Sequence, residues 1–277
     1  MDIYIKKGPY TGPVKAVVLD WAGTAVDYGC LGPAAVFVDV FARFDVEVTF
    51  DEARRFMGLE KKTHVRSMCA LPAVADRWRQ VHGKPPMHTD VDRLYAATET
   101  MMVETIARHA DPIPGLLKTA EALRRQGILI GSCTGYTAPM MDVLAPAAHE
   151  KGYAPDAVVC SSDVPAGRPY PWMCFLNAMQ LGVYPMEAMV KIGDTISDIQ
   201  EGLNAGMWTI GLTRSGNELG LSREASEALN PAALSVRLSA IGKRYQEAGA
   251  HYVAEGIWEV LPLIDDIQAR LARGERP

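Results

Sequence analysis

The sequence predicts an α/β fold: a Rossmann-like, doubly wound parallel sheet core with an inserted all-helical cap domain. Three observations carry this expectation. Short runs that are apolar throughout alternate with helical stretches, as strands covered on both faces do. The runs end in loops carrying carboxylates or hydroxyls, where ligands of such sheets bind. The segment 29–107 breaks the alternation and reads as helices only. The expected division is therefore a core of residues 1–28 and 108–277 and a cap of residues 29–107.

The elements follow in order. Lys15–Asp20 is a short apolar run ending in a carboxylate, followed by Ala22-Gly23-Thr24: a buried strand running into a tight loop. Within the cap, helices are expected over 33–44, 51–57, 62–70, 73–81 and 90–109, with Pro85-Pro86 separating the last two. Strands recur at 128–133, 157–160, 189–193 and 208–212. Helices are expected over 115–126, where Leu116, Leu117, Ala120 and Leu123 share a face, and over 171–181 and 197–205. Beyond Pro231 the pattern reads as a helix, a short strand at 251–253 and a closing helix through Leu271. Gly29 and residues 107–111 are the candidate cap hinges.

Composition narrows the function classes. The chain has 277 residues, 48% apolar and 22% charged, which is globular rather than disordered. A net charge of −5 gives no basic field for nucleic acid or anionic membrane, so an anionic substrate would need locally placed cations. Met1–Lys7 lacks the apolar core of a signal peptide, and no stretch suits a membrane span. Five scattered cysteines without CxxC spacing read as reduced thiols in a cytoplasmic protein.

Three strand-end clusters carry chemistry. Asp20-Trp21-Ala22-Gly23-Thr24 can present a carboxylate oxygen to an electrophile, with loop N–H groups near an anion. Thr134-Gly135 offers a hydroxyl and an N–H. Asp194 and Asp198, four residues apart at a helix start, can bind or orient a hard divalent cation. Arg168, in the proline-bounded loop Gly167-Arg168-Pro169-Tyr170-Pro171, supplies positive charge. Each cluster alone has a plain structural reading, as a turn, a helix cap or a surface ion pair. Their conjunction in this order, each at a strand-to-helix switch, does not.

That conjunction resembles the haloacid dehalogenase superfamily, whose four motifs fall on Asp20, Thr134, Arg168 and the pair Asp194/Asp198. The resemblance implies an aspartate nucleophile, Asp20, and a magnesium ion. There are two departures. Most phosphatases of the superfamily carry a general acid two residues after the nucleophile, and here that position is Ala22. Arg168 stands where a lysine is usual. An ester hydrolase lacking its acid would lose about 10²–10⁴ in rate, so either the enzyme is crippled or no alkoxide leaves.

The cap segment Met57-Gly58-Leu59-Glu60-Lys61-Lys62-Thr63-His64-Val65-Arg66, taken with Asp-Trp-Ala-Gly-Thr, closely resembles the phosphonoacetaldehyde hydrolase (phosphonatase) family. Local chemistry does not choose between Lys61 and Lys62; the gapless match places the family's Schiff-base lysine on Lys61. An imine beside phosphorus provides an electron sink for carbon, which removes the need for an acid at Ala22. The resemblance further implies a cation held by Asp20, the Ala22 backbone carbonyl and Asp194, with Asp198 acting through water. It implies phosphoryl contacts from Thr134, Gly135 and Arg168, a supporting role for Thr24, and Met57 near the lysine. His64 reads as a proton shuttle or a packed histidine, Tyr136 as pocket lining or core, and Cys30 as a buried thiol. The implied partner is a small phosphonate on the route of 2-aminoethylphosphonate degradation, and the implied assembly a homodimer. The competing expectations are a phosphatase acting on another phosphonate or a phosphate ester, and a scaffold without catalysis.

Overall fold

The computed structural model describes residues 8–277; the leading segment Met1–Lys7, read above for a signal peptide, lies outside them. Strand β1 (Ala16–Leu19) opens the fold. Five helices follow: α1 (Leu31–Ala42), α2 (Phe50–Arg54), α3 (Lys61–Cys69), α4 (Pro72–His82) and α5 (His88–Thr105). Then come α6 (Leu116–Arg125), β2 (Leu129–Thr134), α7 (Ala138–Glu150), β3 (Ala157–Cys160), α8 (Trp172–Leu181), β4 (Met189–Gly193), α9 (Ile196–Asn204) and β5 (Trp208–Leu212). The chain ends with α10 (Arg223–Glu227), α11 (Pro231–Glu247), β6 (Tyr252–Ala254) and α12 (Val260–Ala272).

The six strands form one parallel sheet in the order β3-β2-β1-β4-β5-β6. The chain runs outward from β1 in both directions, so the winding reverses beside β1 and opens a crevice beyond the ends of β1, β2 and β4. Val17, Leu19, Ile130 and Ile192 join one continuous apolar core with Phe37, Val65, Trp78 and Leu94 of the five-helix segment. Ala16, Val18 and Cys133 face the opposite layer with Met173 and Cys174 of α8. The expected strands are all present, and the fold is the expected one. Helix α7 is an element the hydrophobic pattern does not announce, because Pro139 lies in its first turn and Pro146 in its interior. No helix among the described residues is long and apolar enough to cross a membrane.

Local chemistry sets the ends of the elements that matter. Glu60 caps α3, its carboxylate accepting from the N–H groups of Lys62 and Thr63 at 2.9 and 2.8 Å. Lys61 is thereby the first residue of the helix. Thr195 and Asp198 form a reciprocal capping box at the start of α9. The two chain crossings between sheet and inserted helices are tied together at Asp27. Its carboxylate accepts from Leu31 and Gly32 N–H, and His109 Nδ1 lies 3.2 Å away. Gly29, φ +83°, turns the first crossing.

Candidate active site

A small cavity of about 20 Å³, room for about one water molecule, lies in the crevice under the inserted helices. Asp20, Ala22, Thr134, Gly135, Tyr136 and Arg168 line it from the core, and Met57 and Lys61 from the helices above. Pro33, Gly58 and Thr195 complete the lining.

Asp20 directly follows β1, with its N–H bonded to the Ile192 carbonyl of β4 at 3.0 Å. Its Oδ1 accepts from Arg168 Nη2 at 2.7 Å. Burial raises its pKa and Asp198 adds to this, while Arg168 and Lys191 pull it down. Arg168 is itself buried, with Nε donating to Glu201 at 2.8 Å and Nη2 to the Cys133 carbonyl at 3.0 Å. Its Nη1 reaches across to the Gly58 carbonyl of the inserted segment at 3.3 Å. Thr134 Oγ1 accepts from the Tyr136 N–H at 3.1 Å, which fixes the loop after β2.

Lys61 is 3% exposed. Its Nζ lies 4.5 Å from the Tyr136 ring centroid and 5.7 Å from that of Phe37. Desolvation lowers its pKa from 10.5 to about 8, against the opposing pull of the Asp20 carboxylate. The positive pole of the α3 N-terminus acts in the same direction as burial. His64, one turn on, is fully buried and stacks on Phe37 at 3.9 Å. Its Nε2 lies 2.8 Å from the Ala53 carbonyl, which can only accept, so Nε2 carries the proton. Nδ1 is then a basic nitrogen, buried without a partner. Burial first, and Lys61 second, lower the ring's pKa to about 3, so it is neutral at rest.

The acidic cluster is tight. Ligand atoms of Asp20, Asp194 and Asp198 lie within 4.8 Å of one another, all buried. Burial raises the Asp194 pKa well above its ordinary value, and Asp20 and Asp198 raise it further. Asp20 and Asp194, which repel each other at this buried point, form a donor pair that a hard divalent cation neutralises. Ala22 lines the same cavity, and its carbonyl accepts from the Cys30 thiol at 3.0 Å. These residues fit a divalent cation.

Thr24 and Asp198 have partners in the structure that bear on their expected roles. Thr24 does not line the cavity; its hydroxyl donates to Asp194 Oδ1 at 3.0 Å, so it orients that carboxylate rather than touching substrate. The N–H groups of Gly23 and Thr24 are likewise spent inside the loop, on the Val26 and Trp21 carbonyls. Asp198 has both oxygens engaged by protein. Oδ1 takes Lys191 at 2.6 Å and Arg168 at 3.1 Å, and Oδ2 takes the Thr195 N–H at 3.2 Å. Cys30 is a buried thiol, as expected, bonded to Ala22 O and near Asp194.

Sequence reasoning does not single out Lys191, Glu201 or Asn217. Lys191 had a visible signal, a lone charge inside an apolar strand, which a fold tolerates only with a buried partner. Glu201 shares the face of α9 with Asp198 through its spacing of three residues. The Asn217 N–H donates to Asp194 Oδ2 at 2.7 Å from a loop distant in sequence, and no local pattern announces it.

The chain is similar along its whole length to known proteins. The profile of the haloacid dehalogenase-like hydrolases matches residues 14–206. A phosphonoacetaldehyde hydrolase from Nitratidesulfovibrio vulgaris is 56% identical over 100% of this chain and 99% of its own. A bifunctional phosphonoacetaldehyde hydrolase/aminoethylphosphonate transaminase from Clostridioides difficile is 47% identical over 94% of this chain and 41% of its own. The crystal structure of a phosphonoacetaldehyde hydrolase-like protein from Oleispira antarctica superposes with a TM-score of 0.96 at 38% identity, covering both chains completely.

Proposed function

This chain belongs to the haloacid dehalogenase-like hydrolases, and within them to the phosphonoacetaldehyde hydrolase family, and from that premise we propose that it cleaves the carbon–phosphorus bond of phosphonoacetaldehyde to give acetaldehyde and phosphate. The observation that carries the proposal is the joint placement of Lys61 and Asp20 in one small buried cavity beside Ala22. An amine made nucleophilic by burial sits where an aldehyde would lie, and no carboxylic acid occupies the position that would protonate a departing alkoxide.

The Lys61 amine adds to the aldehyde carbon, and loss of water gives an imine that takes up a proton. Asp20 then attacks phosphorus in line. The carbon–phosphorus pair moves into the iminium, leaving an enamine on Lys61 and an acyl phosphate on Asp20. Protonation of the enamine carbon restores the iminium, and water releases acetaldehyde and the free amine. A second water cleaves the acyl phosphate, regenerating Asp20. Arg168, Thr134 and the Gly135 N–H hold the phosphoryl oxygens. His64, one turn from Lys61 and neutral, packs on Phe37 behind the amine and helps keep it desolvated.

We assign the acidic cluster to magnesium, held by Asp20, the Ala22 carbonyl and Asp194, with Thr24, Asn217 and Asp198 orienting that set. The ion would lower the repulsion between the attacking carboxylate and the phosphonate dianion. The same reading makes residues 29–107 a cap that closes over a core of residues 1–28 and 108–277. We place the enzyme in the cytoplasm as a homodimer without nucleic-acid or membrane partners, acting on the aldehyde formed from 2-aminoethylphosphonate. The name of the bifunctional relative, which joins the two activities, supports that placement.

The test compares phosphate release from phosphonoacetaldehyde with release from simple phosphate monoesters. Strong preference for the phosphonate is expected. Preference for the esters would make the chain an ordinary phosphatase, and no release from either would make it a scaffold.

A further inference from the structure

Behind the phosphoryl pocket lies a layer of buried charge that the steps above do not use. Lys191, in the middle of β4, has Nζ 2.6 Å from Asp198 Oδ1 and 3.6 Å from Glu201 Oε2. Glu201, on α9, is fully buried; its Oε2 accepts from Arg168 Nε at 2.8 Å and from the Cys133 thiol at 3.3 Å. Arg168 is thus held on three sides: Nε on Glu201, Nη2 on Asp20, and Nη1 on the Gly58 carbonyl of the cap.

A guanidinium is a planar fork, so fixing Nε fixes the direction of both terminal nitrogens. A lysine at the same place, being a point charge, would need no such partner. Glu201 supplies what the arginine requires. Without it Nε has no acceptor, and only the Nη2 contacts to the Cys133 carbonyl and Asp198 oppose a turn of the fork that would set both terminal nitrogens on Asp20 and release the cap carbonyl.

We infer that Glu201 is a positioning residue for phosphoryl transfer, orienting Arg168 so that one nitrogen serves the phosphoryl site while another holds the closed cap. Lys191 complements it by holding Asp198 behind the same guanidinium. This rests on the phosphoryl-transfer reading above, and the experiment separates the two.

Three variants, Glu201→Gln, Glu201→Asp and Glu201→Ala, are compared with the parent chain. Turnover of phosphonoacetaldehyde, inhibition by inorganic phosphate, and borohydride trapping of the Lys61 adduct at saturating substrate are measured. Gln keeps the acceptor at its reach, whereas Asp keeps the charge but retracts it by one methylene. Positioning therefore predicts kcat in the order Gln, then Asp, then Ala. Gln should stay within about 10-fold of the parent and Ala should fall about 10²–10³-fold, the scale for misplacing one preorganised donor. Inhibition by phosphate should weaken in parallel, while the trapped adduct persists, because imine formation belongs to the cap. If Glu201→Ala does not fold, the order of the other two still decides. Asp equal to or better than Gln would assign Glu201 to charge balance and overturn the inference, as would unchanged turnover in a folded Glu201→Ala. Absence of an adduct in the parent chain would instead remove the reading on which the inference rests, and the inference with it.

Discussion

The Nζ of Lys61 lies 4.5 Å from the centroid of the Tyr136 ring, so an amine carried by the inserted helices points into a cavity floored by the loop after β2. A side chain from one layer and a ring from the other enclose a space that neither forms alone. The closed arrangement in the structure therefore already has the lysine and the strand-end carboxylate Asp20 on one cavity wall each.

The pH dependence of imine formation follows from that burial. Only the neutral amine attacks a carbonyl. With a pKa lowered to about 8, the neutral fraction at pH 7 is roughly 300-fold that of an ordinary lysine. The trapping rate at limiting substrate should rise tenfold per pH unit below about 8 and level off above it. A rise continuing to about pH 10 would show an exposed, unperturbed amine.

Lys61 should also weaken the fold it serves. The lowering from 10.5 to about 8 corresponds to about 3 kcal/mol at neutral pH. Between those values the unfolded chain holds a proton that the folded chain has lost. Stability therefore rises with pH through that window and is reduced below it. Lys61→Met should abolish turnover yet melt at the same or a higher temperature near pH 7, and should lack the gain in stability above pH 8. A clearly lower melting temperature would mean that the amine holds the structure together.

Gly135 tests the closure. A Cβ built there would lie 2.5 Å from the Leu59 carbonyl and 3.0 Å from that of Gly58, both backbone atoms of the cap turn. Gly135→Ala should lower kcat about 10²-fold by holding the cap away, with the melting temperature little changed. Normal turnover in the variant would show that this approach is not needed for chemistry.

Cation binding should be visible without any assay of activity. The Asp194 carboxyl has its pKa raised, chiefly by burial, so the folded chain binds more protons than the unfolded one above pH 4. The ion-free protein should accordingly lose stability as pH rises through that raised value. Magnesium at about 100 times its Kd should restore about 2.7 kcal/mol. Asp194→Asn should melt higher than the parent without the ion and should not respond to magnesium. An equal response in the two proteins would move the cation elsewhere.

The sheet, its order of elements and the helical insertion were readable because buried parallel strands are apolar throughout and the insertion lacks them. Helix α7 was hidden because Pro139 and Pro146 interrupt its pattern, although the sheet packing still favours a helix there. Asp20, Arg168 and Asp194 were readable from types and order along the chain, whereas Lys61 was singled out from Lys62 only by the family resemblance, because adjacent lysines carry the same chemistry. The actual partner of Thr24 was not, because it depends on how Asp194 approaches from 170 residues away. Glu201 and Asn217 stayed out of view for the same reason: their roles arise where distant loops and helices meet, and neither lies in a motif of its own.

The central claim is a covalent bond between substrate and Lys61, and one measurement addresses it directly. The protein is incubated with phosphonoacetaldehyde, reduced with borohydride, digested and mapped by mass. The account predicts a single stable adduct on the peptide bearing Lys61, dependent on substrate and absent in Lys61→Met. Turnover with no adduct, or an adduct on Lys62 instead, would contradict it.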